Sequence, residues 1–85
     1  MIQVSYHAQK RFSQRIDACA DPVAGVLRMW ETGRNATSDD LSLYHVKRQQ
    51  GQRYRVGFHN HRSGMLIMRH YQTRDSWILT IIPLR

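Results

Sequence analysis

The chain holds a single cysteine, Cys19, so no disulfide can form within it. It lacks any apolar run near the roughly 18 residues that a membrane-spanning helix needs, and it has no internal repeat and no low-complexity tract. Met1-Ile2-Gln3-Val4 leads straight into a polar segment and not into an apolar leader, so a reducing cytoplasm is the expected location and no membrane partner is expected. Acids are scarce. Six Asp and Glu stand against thirteen Lys and Arg, a formal charge of +7, and eleven of the thirteen bases are Arg. A guanidinium forks onto phosphate with paired hydrogen bonds where an ammonium acts as a point charge, so this balance favours phosphate recognition and makes nucleic acid the leading partner.

Eighty-five residues make one domain, spanning 1–85, and a domain of this size buries only about two-thirds of its unfolded surface, so the core is modest. Ile2-Gln3-Val4 reads as a brief strand. Ser5 is an N-cap candidate for a helix over about Tyr6 to Asp17, and Asp21-Pro22 opens a second helix over about Pro22 to Thr32, stopped at Gly33. The short link through Ala18, Cys19 and Ala20 makes the two helices antiparallel neighbours. In the first, Ala8, Phe12 and Ile16 share one ridge and His7, Arg11 and Arg15 share the ridge beside it. Residues 5 to 16 contain no acid at all, whereas a helix needing only solubility mixes Glu with Lys. In the second, Val23, Val26, Leu27 and Trp30 form the apolar face.

Residues 34 to 42 lack an apolar period and read as a loop. Four strands are expected after it: Leu43 to Arg48, Arg53 to His59, Met65 to His70 and Trp77 to Ile82, with polar connections suited to antiparallel hairpins, one of them over Gln72 to Ser76. Tyr54, Val56 and Phe58 alternate with Arg53, Arg55, Gly57 and His59, which predicts one face on the helices and one offering cations. Phe12, Trp30, Phe58 and Trp77 are assigned to the core, and Cys19 to a small buried position between the helices. The expected fold is α+β: a short N-terminal strand and two antiparallel helices packed on one face of an antiparallel sheet of four main strands.

The order of elements, together with His7-Ala8, Arg11, Arg15 and Thr80 in the hydrophobic strand Trp77-Ile78-Leu79-Thr80-Ile81-Ile82-Pro83, resembles the RelE-like proteins of the barnase-EndoU-colicin-RelE superfamily of ribonuclease toxins. It is most similar to a group of small RelE-like proteins that open with His-Ala-x-x-Arg-x-x-x-Arg. The resemblance implies metal-independent RNA cleavage without a cofactor, in which the ribose 2′-hydroxyl attacks the neighbouring phosphate. It also implies RNA as partner, ribosome-bound RNA and transfer RNA included, and a cognate antitoxin or immunity protein. Such chemistry needs a base, an acid, and cations for the charge that develops on phosphorus. His7 is the candidate base or acid, with His70 for the second proton transfer; Arg11 and Arg15 grip the phosphate, with Arg55 or Arg69 reaching from the sheet. Thr80 offers a hydroxyl in an otherwise apolar strand, and Lys10 and Arg53 extend the basic surface for RNA.

Each of these residues also has a plainer role open to it. His7 can cap and pack the helix start, Arg11 and Arg15 can form a solvated face, and Thr80 can be a β-favouring residue with a satisfied hydroxyl. His59-Asn60-His61 with His45 and His70 suggests a metal set, but the absence of a second cysteine or a nearby carboxylate weighs against one, and the segment reads as a turn. Two other functions fit the same composition: a non-catalytic nucleic-acid-binding or inhibitor protein of a phage or mobile element, and a protein that docks on acidic surfaces.

Overall fold

Ser5 starts the first helix as its position predicts. Its hydroxyl accepts the Ala8 N–H at 3.0 Å, and α1 runs over Tyr6–Arg15 with Ile16 as C-cap. Asp21 does the same for α2, Pro22–Thr32: its carboxylate accepts the N–H groups of Val23 at 3.0 Å and Ala24 at 3.4 Å, and Pro22 fits the first turn, where no N–H partner is needed. Before them lies β1, Ile2–Val4. After them the computed structural model, which describes residues 1–72 and 75–84, departs from expectation.

The stretch 34 to 42 is not a loop. It contains a two-residue strand, β2 (Arg34–Asn35), and a short helix, α3 (Ser38–Leu43). Thr37 and Asp40 form a reciprocal capping box, in which the Thr37 hydroxyl accepts the Asp40 N–H at 3.2 Å and the Asp40 carboxylate accepts the Thr37 N–H at 2.8 Å. The predicted strand Leu43 to Arg48 is absent, because Leu41 and Tyr44 bury themselves one helical turn apart. The other three strands form as β3 (Gln52–His59), β4 (Arg62–His70) and β5 (Ser76–Pro83). Asn60 and His61 make the β3–β4 turn with positive φ of 46° and 68°, so Gly64 falls inside β4 and not in the turn. Of the connection expected over 72 to 76, Thr73 and Arg74 lie outside the described residues.

The fold is α+β, with a five-stranded mixed sheet in the order β1-β5-β4-β3-β2 and three helices among the described residues. The sheet is mixed because β1 pairs parallel to β5, and that corrects the expected four-stranded antiparallel sheet with two helices. No helix among the described residues is long and apolar enough to cross a membrane.

Both sheet faces are covered. Leu66 of β4 packs with Phe12, Val26 and Met29 on the α1/α2 side, and its neighbour Met65 packs with Leu41, Tyr44, Tyr54 and Val56 on the α3 side. Adjacent strand residues point to opposite faces, so the register settles the rest. Arg55 pairs with Leu66 and therefore faces the helices, while Tyr54 and Val56 face α3. This reverses the predicted faces of β3: its apolar side chains need α3, which the sequence pattern had hidden. Gly57 makes room under α2, where a Cβ would sit 2.5 Å from the Met29 carbonyl oxygen.

Phe12 and Trp30 are core as expected, but Phe58 and Trp77 are exposed. They lie on the α3 face, and α3 is too short to reach them. Cys19 is also exposed, on a surface turn where the Asp17 carboxylate accepts its N–H at 2.9 Å.

Two outcomes test this packing. Gly57→Ala forces a Cβ against main chain that cannot withdraw, so the unfolding free energy in urea falls by about 1–3 kcal/mol. Arg34 forks onto Asp40 through Nη1 and Nη2, the second at 2.9 Å, and this pairing, with the Thr37 N–H, holds the Asp40 carboxyl well below the usual carboxylate range. A carboxylate so depressed contributes stability that is present above the ordinary range and lost as pH falls through its folded value. Asp40→Asn therefore lowers Tm at pH ~7, and the gap from wild type narrows progressively as pH falls below the ordinary carboxylate range in a thermal-melt series.

Candidate functional site

The first candidate site arises where β1 ends. After Val4 the chain turns into α1, so β5 from Leu79 onward has no strand on its outer edge, and α1 lies alongside it. Ser5 makes the joint. Its N–H donates to the Ile78 carbonyl at 3.0 Å and its hydroxyl to the Leu79 carbonyl at 2.8 Å. At this point β5 carries a bulge: Met68 pairs with Ile78 and Ile67 with Thr80, leaving Leu79 unmatched. Because of the extra residue, Ile78 and Ile81 both enter the α1/α2 core, while Thr80 shares the opposite face with Ile67.

Ala8, Phe12 and Ile16 are the buried ridge of α1, as the spacing predicts. The ridge beside them brings Arg11, half-buried, and Arg15, exposed, to a groove of about 240 Å³ shared with Thr80, Ile81, Ile82 and Pro83. Residues 11, 15 and 80 thus meet. His7, exposed, stands one turn before Arg11 on the same ridge but does not line the groove; Lys10 is exposed on the same helix.

The remaining predicted residues are elsewhere, which corrects their expected convergence on α1. His70 shares a 2.7 Å hydrogen bond between Nδ1 and the Ser76 hydroxyl, and with Arg53, Met68 and Ser76 lines a groove of about 290 Å³. Ser76 precedes Thr80 by about 13 Å of strand, and the bulge turns the two to opposite faces. Arg55 is held under α2: Nη1 donates to the Trp30 carbonyl at 3.0 Å, and the guanidinium carbon lies 5.0 Å from the centre of the indole ring. Arg69, paired with Trp77, lies on the α3 face with its guanidinium carbon 5.6 Å from the Tyr71 ring centre. Arg53 and Arg55, together with Arg48, Trp30, Asn35, Gln52 and Tyr54, line a further groove of about 370 Å³. Arg48 and Asn35 escaped the sequence analysis, which read the first as a strand end and the second as loop. A third basic residue within a few positions of Arg53 and Arg55 was the available signal.

Asp17, Asp21 and Asp40 are engaged away from these grooves. Asp17 pairs with His59 Nε2 at 3.0 Å, and that hydrogen bond, with the Cys19 N–H, lowers the Asp17 pKa. Phe12 meets the His59 ring edge-on at 5.1 Å, so His59 is part of the α1 packing. Among the described residues the ion pairs are Asp17–His59 and Arg34–Asp40, and neither includes an arginine of the three grooves. No three His, Cys, Asp or Glu side chains of the described residues converge as a metal centre would require.

No family model, curated protein or solved structure matches this chain. What the site can do is therefore read from its own chemistry: two arginines of α1 beside Thr80 at a small groove are cations suited to one phosphate group. The groove depends on the Ser5 joint. Ser5→Ala removes a helix cap and a bond to β5 together, lowering the unfolding free energy in urea by about 1–2 kcal/mol with an unchanged m-value.

Proposed function

We propose that the protein is a small basic ribonuclease of the toxin type, which seats an RNA phosphate between Arg11, Arg15 and Thr80 and cleaves by attack of the adjacent 2′-hydroxyl. The reading is carried by one observation: three residues singled out in the sequence, from two distant segments, share one groove free of carboxylates. The guanidiniums bind the non-bridging oxygens and gain strength as charge builds on them, and the Thr80 hydroxyl donates a further hydrogen bond. His7 takes the proton of the 2′-hydroxyl, the new bond to phosphorus closes a 2′,3′-cyclic phosphate, and the departing 5′-oxygen takes a proton from water. His70, bonded to Ser76 four residues before Thr80 on β5, has no part in this reading. A neutralising partner would cover the same groove with an acidic surface.

A second reading is RNA binding without cleavage. It is favoured by the groove lining, which offers cations and a hydroxyl but no imidazole or carboxylate.

Incubation of labelled single-stranded RNA with the purified protein separates the two. Cleavage yields 2′,3′-cyclic phosphate and 5′-hydroxyl ends, is unchanged by chelator, and falls by about 10²–10⁴ in His7→Ala. Arg11→Gln with Arg15→Gln abolishes it. Full activity in His7→Ala removes the assigned base. Intact RNA together with binding that weakens steeply with salt establishes the second reading.

A further inference from the structure

A second basic groove lies at the outer edge of β3, away from α1. β2 covers β3 only opposite Arg55 and Val56, and the Ala36 N–H adds a bond to the Tyr54 carbonyl; beyond that point the edge of β3 is open. Arg48, Arg53 and Arg55 line the opening, and two of them lie over aromatic rings: Arg55 over Trp30 at 5.0 Å and Arg48 over Tyr54 at 5.4 Å from guanidinium carbon to ring centre. A guanidinium held against a ring has already given up much of its rotamer freedom, so a ligand orders it at small further cost. Arg48, exposed, still offers N–H donors to phosphate, whereas Arg55 gives Nη1 to the Trp30 carbonyl and keeps its Nε buried. Asn35 and Gln52 add amides able to hydrogen-bond a base edge.

The tract continues past one groove. Arg53 also lines the neighbouring groove of about 290 Å³ that holds His70 and Ser76, so two pockets share one arginine along the margin of the sheet. We propose that this paired groove is a single-stranded nucleic-acid site, separate from the α1 groove, in which Arg48 and Arg53 hold successive phosphates and Arg55 and Trp30 border the base. A groove of about 370 Å³ has the size to take one nucleotide. The inference shares only its ligand class with the proposed function, and it holds whether or not the α1 groove cleaves RNA.

Trp30 lines this groove and provides its own reporter. The other tryptophan, Trp77, is exposed on β5, so Trp77→Phe leaves Trp30 as the sole indole. Titration of that protein with a short single-stranded oligouridylate gives a saturable change in Trp30 emission. Arg48→Gln with Arg53→Gln raises Kd about tenfold or more and lowers the slope of log Kd against log salt by about two, one for each phosphate no longer neutralised. Arg28→Gln, an exposed change on α2, stays within about twofold and controls for net charge. Arg11→Gln with Arg15→Gln keeps the Trp30 response, so a retained response without cleavage supports this site while removing the proposed active groove. Trp30 emission that stays silent while RNA is bound or cleaved overturns the site. So does an Arg48/Arg53 variant, folded by circular dichroism, that binds like the parent, or a duplex that competes as well as the single strand.

Discussion

Ser5 joins the two halves of the molecule. Through one backbone N–H and one hydroxyl it caps α1 and ties it to the carbonyls of Ile78 and Leu79, where β5 is bulged. The bulge shifts the alternation of β5 by one residue, so the strand enters the α1/α2 core twice, at Ile78 and Ile81, and turns Thr80 to the other side. Were residues 78 to 81 to alternate regularly, Thr80 would share the face of Ile78 and its hydroxyl would enter an apolar core. The cap, the open strand edge and the position of Thr80 near Arg11 and Arg15 are thus one arrangement seen at three places.

Much of the fold was legible because its signals are local. Ser5 and Asp21 announce helix starts, the i, i+4 ridge of Ala8, Phe12 and Ile16 announces a buried stripe, and β3 to β5 alternate or run apolar in the expected lengths. What stayed hidden depends on partners distant in sequence. The alternation of β3 was visible, but which face met the helices was not, since that choice is made by α3 covering Tyr54 and Val56. α3 itself had a local sign, Thr37 three residues before Asp40, masked by the polar composition around it. Arg11 and Arg15 were legible as one ridge through their i, i+4 spacing, and Thr80 as the polar residue of an apolar strand. The dispersal of Arg55, Arg69 and His70 was not, because strand order and a bulge decide it.

Charge is divided with similar economy. Asp21 caps a helix, Asp40 closes a capping box and binds Arg34, and Asp17 binds His59 beneath the end of α1. With these three acids committed to holding elements together, the linings of the two grooves carry arginine and no carboxylate. The two cationic grooves described on α1/β5 and on β3 lie at opposite edges of the sheet, one beside the part of β5 that β1 leaves uncovered and one beside the part of β3 that β2 leaves uncovered.

That placement has a consequence for how copies of the chain meet each other. Bare strand edges invite pairing between molecules, and proteins resist it by keeping edge strands short and setting charge beside them. Here β1 has three residues and β2 two, and the uncovered lengths of β5 and β3 are bordered by Arg11 and Arg15 and by Arg48 and Arg53. Two molecules approaching edge to edge bring guanidiniums against guanidiniums, so the residues that would welcome a polyanion also keep the sheet from extending into an aggregate.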